Sequence, residues 1–317
     1  MAPFLLIRDP IVRQSISVEE CIQAVEQGFL LQASGKVGDA YGHLSYQEGA
    51  SSLHLYAASV PEFGVGAKVL GAYRENPGNG RPYIRACVVL LDPVTGEMEA
   101  FLDGAYLTAL RTGAATALGA HYLARQDSRV LGIMGTGLHA RTHLLCHLSV
   151  HEFQRVVIWG RNPQHIAEYL KEMQSMIDLP IFSLPSPDDV CAQADVIACT
   201  TSARSPLFQA KAVRPGTHIG VAAPVNSWQT EIPLDLLDNS LLFVDSIAKF
   251  HQNWAPGAAP IVEAELGQVI AGLAVGRSTD KDITIFKPEG MGFEDIVSAR
   301  IVVDRVRQEQ STEIVVW

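Results

Sequence analysis

Two cations occupy places where cations are rare. Lys68 lies in VGAKVLGAY (65–73) and Arg111 in LTALRTGAA (107–115), each among small or apolar residues. Lysine and arginine are seldom buried without a partner. Each therefore meets a ligand, or else the lysine snorkels and the arginine is tied to an internal carboxylate such as Asp103. Burial draws a lysine's pKa towards neutrality, where it can relay a proton. A guanidinium fork suits a carboxylate. His54, in SSLHLYAAS (51–59), is a third candidate that could line such a pocket and relay a proton, although a lone strand histidine is more often structural.

A second constellation is Gly135-x-Gly137-x-x-Ala140, directly after the apolar run Val130–Met134 and before a helical pattern. In that context the spacing is the dinucleotide fingerprint. The first glycine permits a tight turn, the second lets a pyrophosphate approach the backbone, and the small third residue lets the helix pack. Gly135, Thr136, Gly137, Leu138 and His139 are thus candidate cofactor contacts. The next strand ends in Trp159-Gly160-Arg161-Asn162, with no acidic residue to take the ribose hydroxyls of NAD. A guanidinium can pair with a 2′-phosphate. The expectation is NADP(H) over NAD(H), held by Gly160, Arg161 and Asn162. Thr200, Thr201, Ser202 and Val221 follow later strands, where such folds present groups to the ligand.

These groups need elements to hold them. Ser17-Val-Glu-Glu20 is a capping box that opens a helix running to about Ser34. Strand patterns at 53–60, 65–73, 84–91 and 98–102, the last two joined by the turn Asp92–Gly96, predict an antiparallel sheet. An Ala- and Leu-rich helix follows at 106–123. From Val130 strands at 130–134, 155–159, 181–184, 195–199, 217–222 and 241–245 alternate with helical patterns, and another strand lies at 283–286. Such alternation predicts a parallel, doubly wound sheet. A helix is expected near 262–271 and a terminal one at 293–308. The fold class is α/β: a Rossmann-type sheet at 116–289, plus an α+β domain built from 1–115 and 290–317.

The formal net charge is −10 over 317 residues, without a Lys/Arg cluster, which argues against nucleic acid or an anionic membrane as partner. The five cysteines form no C-x-x-C pair, which suits a reduced, cytoplasmic protein. No apolar run approaches the ~18–20 residues that cross a bilayer. His139, His143, His147 and His151 recur every four residues, and such pairs can share a metal. Each step, however, drifts about 40° around the helix. All four cannot converge on one ion, and no metal is expected.

Several stretches match a known pattern: GVGAKV (64–69), ENPGNGRP (75–82), DPVTGE (92–97), LDGAYLTALRTGAA (102–115), GTGLHAR (135–141), WGRN (159–162), ADVIACTTS (194–202), PGTHI (215–219) and ITIFKPEGMGFED (283–295). Through them the chain resembles the ornithine cyclodeaminase/mu-crystallin family over nearly its whole length. The resemblance implies a homodimer whose non-Rossmann domain carries the substrate and the dimer interface. It makes Lys68 the substrate-side lysine, Arg111 the holder of a substrate carboxylate and Thr112 a contact to the cofactor phosphates. It puts Met291 and Gly292 in a loop near the nicotinamide. Where cyclodeaminases and many family dehydrogenases carry an aspartate, this chain has Val225, with Asn226 the nearest polar residue. Tyr83 stands where a small threonine is common. The implied activity is NAD(P)H-dependent reduction of a carboxylated imine, by a ketimine reductase or an amino-acid dehydrogenase. The alternatives are a cyclodeaminase that uses NAD catalytically and a mu-crystallin-like NADPH-binding protein.

Overall fold

The computed structural model describes residues 4–47, 51–203, 205–222, 231–254, 259–309 and 315–316. The chain divides into two compact units, Met1–Arg111 with Met291–Trp317, and Thr112–Gly290. The first opens with β1 (Leu5–Ile7), α1 (Asp9–Gln14), α2 (Val18–Ala33), β2 (Gly38–Tyr46) and β3 (Ser51–Val60). It continues with β4 (Gly64–Tyr73), β5 (Ile84–Leu91), β6 (Met98–Asp103) and the start of α3 (Ala105–Leu123). The second unit contains β7 (Val130–Met134), α4 (Leu138–Val150), β8 (Arg155–Trp159), α5 (Pro163–Gln174), β9 (Ile181–Ser183), α6 (Pro187–Gln193) and β10 (Val196–Cys199). There follow β11 (His218–Val221), α7 (Leu234–Leu237), β12 (Leu241–Val244), α8 (Ile247–Asn253), β13 (Ala264–Glu265), α9 (Leu266–Ile270) and β14 (Thr284–Lys287). The chain returns to the first unit as α10 (Gly292–Glu309) and β15 (Val315–Val316).

In the first unit the sheet order is β15-β1-β6-β5-β4-β3-β2. It is antiparallel apart from β1, which runs parallel to β6. The capping box at Ser17 and Glu20 forms as expected and starts α2. Helices α2 and α10 pack together, with Phe29 and Phe293 edge to face at 5.2 Å. Along β4 the side chains alternate, so Gly66, Lys68 and Leu70 share one buried face. That alternation, and not any local preference of lysine, turns Lys68 inward towards α10. Strand β2 was absent from the sequence reading for a physical reason. It is an edge strand exposed along nearly its whole length, so it carries no apolar alternation and is defined by its pairing with β3.

In the second unit eight parallel strands run in the order β13-β12-β14-β11-β10-β7-β8-β9. Helices cover both faces. Ala140 and Leu144 of α4 pack with Tyr169 and Met173 of α5 on one side, and Val190 and Cys191 of α6 lie on the other. The order reverses at β7, which lies between β10 and β8. This is the switch point at whose strand ends doubly wound sheets bind ligands. The helix expected near 262–271 is instead the two-residue β13 followed by the short α9. No described helix is long and apolar enough to cross a membrane.

Candidate active site

The two cations singled out from sequence are brought together in the first unit, and one carboxylate joins them. Asp295 Oδ2 lies 2.7 Å from Lys68 Nζ, and Asp295 Oδ1 accepts Arg111 Nε–H at 3.0 Å. Glu294 Oε2 accepts Arg111 Nη1–H at 2.5 Å, and Glu294 Oε1 accepts the Met291 N–H at 3.3 Å. Lys68 Nζ also sits 4.4 Å from the centre of the Tyr56 ring. Lys68 is 0% exposed and Arg111 4%. The carboxylate partner suggested by the sequence was Asp103. Its Oδ1 instead accepts the Ala105 N–H at the start of α3, and Arg111 reaches α10.

Burying four charges together is expensive, and such clusters are weak contributors to stability. Their charges also shift one another's titration. Burial, then the neighbouring Arg111 charge, lower the Lys68 pKa to about 8, against the pull of Asp295. For Arg111 burial opposes the charge, but Asp295 and Glu294 outweigh it and hold the guanidinium protonated. Burial pushes the Glu294 carboxyl upward, opposed by Arg111. The cluster therefore contains an ammonium that can give up a proton near neutral pH, beside a permanent cation.

In the second unit the loop after β7 has the form a dinucleotide requires. Gly135 has φ +124°, and a Cβ there would lie 2.5 Å from Thr200 Oγ1. At Gly137 a Cβ would meet nothing within 4 Å, which leaves open approach to the backbone. Gly137 caps α4 without a side-chain hydrogen bond, so the helix's first N–H groups have no side-chain cap. Thr136, Leu138 and His139 are half-buried around the turn, and Ala140 is buried against the sheet. These residues fit a dinucleotide phosphate. Gly135→Ala is expected to lose about 2 kcal/mol of stability through strained backbone and the Thr200 clash, together with dinucleotide affinity. Denaturant titration and NADH fluorescence would measure both.

The other expected contacts are distributed as follows. Gly160 is half-buried, Arg161 and Asn162 are exposed, and the Asn162 side chain caps α5 by accepting the Gln164 N–H. Thr112 is half-buried in α3, next to Arg111. Thr200 donates its N–H and its hydroxyl to the Met134 carbonyl, and Thr201 donates both of its groups to Glu231. Ser202 is exposed, and Val221 is buried at the end of β11. Met291 and Gly292 open α10 in the first unit, where Gly292 allows close approach to Ala57 of β3. His54 is buried and bonded to Tyr41 and Ser52. Tyr83 is half-buried beside Leu70 and Ala72. Asn226, with Val225, lies outside the described residues. Of the spaced histidines, His143 and His147 are buried and donate Nδ1–H to the carbonyls four residues earlier.

Sequence reasoning assigned no role to Glu294 or Asp295, although an acidic pair in the apolar run FEDIV was a usable signal. It also passed over Arg141, which donates to the Thr136 and Gly137 carbonyls and braces the glycine loop. Nor did it weigh Glu231, which is 0% exposed.

Residues 6–310 match the ornithine cyclodeaminase/mu-crystallin family. The chain belongs to that family. It is similar to the structure of a Thermococcus litoralis Δ1-pyrroline-2-carboxylate reductase in complex with NADH and L-proline (28% identity, TM-score 0.90, covering 96% of this chain and 98% of that one). It is equally similar to an archaeal alanine dehydrogenase dimer with bound NAD (27%, TM-score 0.90, 98% of each chain). A third similar structure is the iminosuccinate reductase of Paracoccus denitrificans in complex with NAD+ (28%, TM-score 0.85, 97% of this chain and 98% of that one). These structures correct the NADP(H) expectation: all three family members hold NADH, NAD or NAD+. Arg161 is exposed, and two uses are open to it. A solvated guanidinium at that strand end can lie against an adenine as well as pair with a phosphate, so its presence does not select the phosphorylated cofactor.

Proposed function

We propose that this protein is an NAD(H)-dependent oxidoreductase acting on C–N bonds, and that it reduces a small carboxylated imine to the amino acid. The observation that carries the reading is the Lys68–Asp295–Arg111–Glu294 cluster, which pairs a proton-exchanging ammonium with a carboxylate-binding guanidinium. The glycine loop after β7, the N-terminus of α4 and the Thr200–Ser202 segment hold the dinucleotide. Bound there, NADH supplies the hydride for the C–N bond.

The chain's own residues do the rest. Arg111 binds the substrate carboxylate through Nη2, the nitrogen that donates to neither Glu294 nor Asp295. This fixes the imine carbon relative to its carboxylate and converts an encounter into an oriented reaction. Lys68 holds a proton near the imine nitrogen and releases it as the nitrogen becomes an amine. Asp295 keeps Lys68 charged at neutral pH and ties it to Arg111. The reading is tested by supplying purified protein with NADH and carboxylated cyclic ketimines, iminosuccinate, or 2-oxo acids with ammonia. Net NADH consumption with one of them supports it. Ammonia release from ornithine without net NADH change would replace it with cyclodeamination.

A homodimer is part of the same proposal. Leu44, Leu53 and Leu55 are 60%, 38% and 46% exposed, and Leu44 pairs with Leu53 across β2 and β3 at the sheet's open edge. An apolar edge of this kind invites a partner. Light scattering should give twice the chain mass for the native protein and a monomer for Leu55→Asp.

A further inference from the structure

Glu231 is a buried carboxylic acid with no cation beside it among the described residues. Its Oε1 accepts the Thr201 N–H at 2.7 Å and the Thr201 hydroxyl at 2.5 Å. Its Oε2 is buried and has no hydrogen-bond partner among the described residues. Next to Thr201, Thr200 donates its N–H at 2.9 Å and its hydroxyl at 2.7 Å to the Met134 carbonyl. The same Thr200 hydroxyl fills the space a side chain at Gly135 would need. A continuous set of contacts thus runs from Glu231 through Thr201 and Thr200 to the glycine loop. It crosses the ends of β10 and β7, the two strands that flank the switch point.

We propose that Glu231 is a positioning residue for dinucleotide binding, which clamps Thr201 and Thr200 so that Thr200 forms the floor of the Gly135–Gly137 loop. This rests on the cofactor reading above. The clamp explains why Thr201 spends both its donors inward: its part is to fix the loop, and the ligand meets the backbone that it fixes. The clamp works as a neutral acid. Burial raises the Glu231 pKa to about 8, opposed by the two Thr201 donors. Among the described residues the titratable group beside it is the Cys199 thiol of β10, which burial holds well above its ordinary range. Above about pH 8 the carboxyl becomes a buried anion close to where the cofactor phosphates bind, and burial leaves the repulsion little screened.

The sign of the stability effect follows from the same shift. Unfolded Glu231 ionises near its ordinary value of 4.5, and the folded group near 8. The folded state therefore binds the extra proton, and the fold loses stability as pH rises between those values and none beyond. Glutamine reproduces the neutral acid without that dependence. Glu231→Gln is expected to melt above the wild type at pH 8.5, with the difference vanishing towards pH 5.

The test is NADH binding by fluorescence, at pH 6.5 and pH 9, to the wild type, Glu231→Gln and Glu231→Ala. Thr201 amide exchange is measured in the ligand-free proteins. Glu231→Ala leaves the Thr201 donors unclaimed and should weaken NADH about tenfold with loss of Thr201 protection. Glu231→Gln should bind like the wild type at pH 6.5 and, unlike it, keep that affinity at pH 9. Wild-type affinity for NADH in Glu231→Ala, or an affinity in Glu231→Gln as weak as in Glu231→Ala, overturns the clamp. Failure of the wild type to bind NADH instead overturns the cofactor reading, even with the Thr201 amide protected.

Discussion

Arg111→Ala is expected to lose about 3–5 kcal/mol of stability, because it strips Glu294 and half of Asp295 of their counter-charge inside a buried site. Glu294 can absorb part of this by taking a proton, since burial already raises its pKa. The loss should therefore be smaller at low pH and larger above neutrality, which denaturant titrations at several pH values would show. Arg111→Lys keeps a charge but lacks the fork that serves two carboxylates at once. It should be partly restored in stability while its KM for a carboxylated substrate stays well above that of the wild type. A Lys variant with wild-type KM would show that Arg111 serves the fold and not the substrate.

Lys68→Met should lower kcat for imine reduction by about 10²–10⁴-fold, the range for loss of a positioned proton donor, with NADH affinity unchanged. The pH profile carries the sharper signature. With a pKa of about 8 the Lys68 ammonium is lost as pH rises through that value. Imine reduction needs the charged form and should decline above about pH 8. Amino-acid oxidation needs the neutral form and should rise to a plateau there. Lys68→Arg stays charged and should remove the breakpoint in whatever activity remains. A breakpoint that survives in Lys68→Arg would assign the titration to another group.

The parallel sheet was readable from sequence because its strands are short apolar runs between helical patterns: 130–134 and 155–159 are observed with the same bounds. The glycine loop was readable because Gly135 takes a positive φ against Thr200 that other residues cannot, and Gly137 leaves the backbone open. Strand β2 was not, since a solvated edge strand has no pattern to read. Lys68 and Arg111 stood out by contrast with their apolar neighbours. Their carboxylate partners did not, because Glu294 and Asp295 are more than 180 residues away from Arg111 in sequence and meet it through the packing of α10. The cofactor preference was not legible at Arg161, because a guanidinium at that strand end serves an adenine as well as a 2′-phosphate.

If NADH is the hydride source for the carbon of a C–N bond, its label must appear in the product. The most direct measurement uses NADH deuterated at the transferring position of the nicotinamide, with a carboxylated imine, and mass spectrometry of the amino acid formed. One deuterium is expected at the α-carbon, with one NADH oxidised for each amino acid made. Amino acid formed without deuterium, or product released while the NADH pool stays constant, would contradict it.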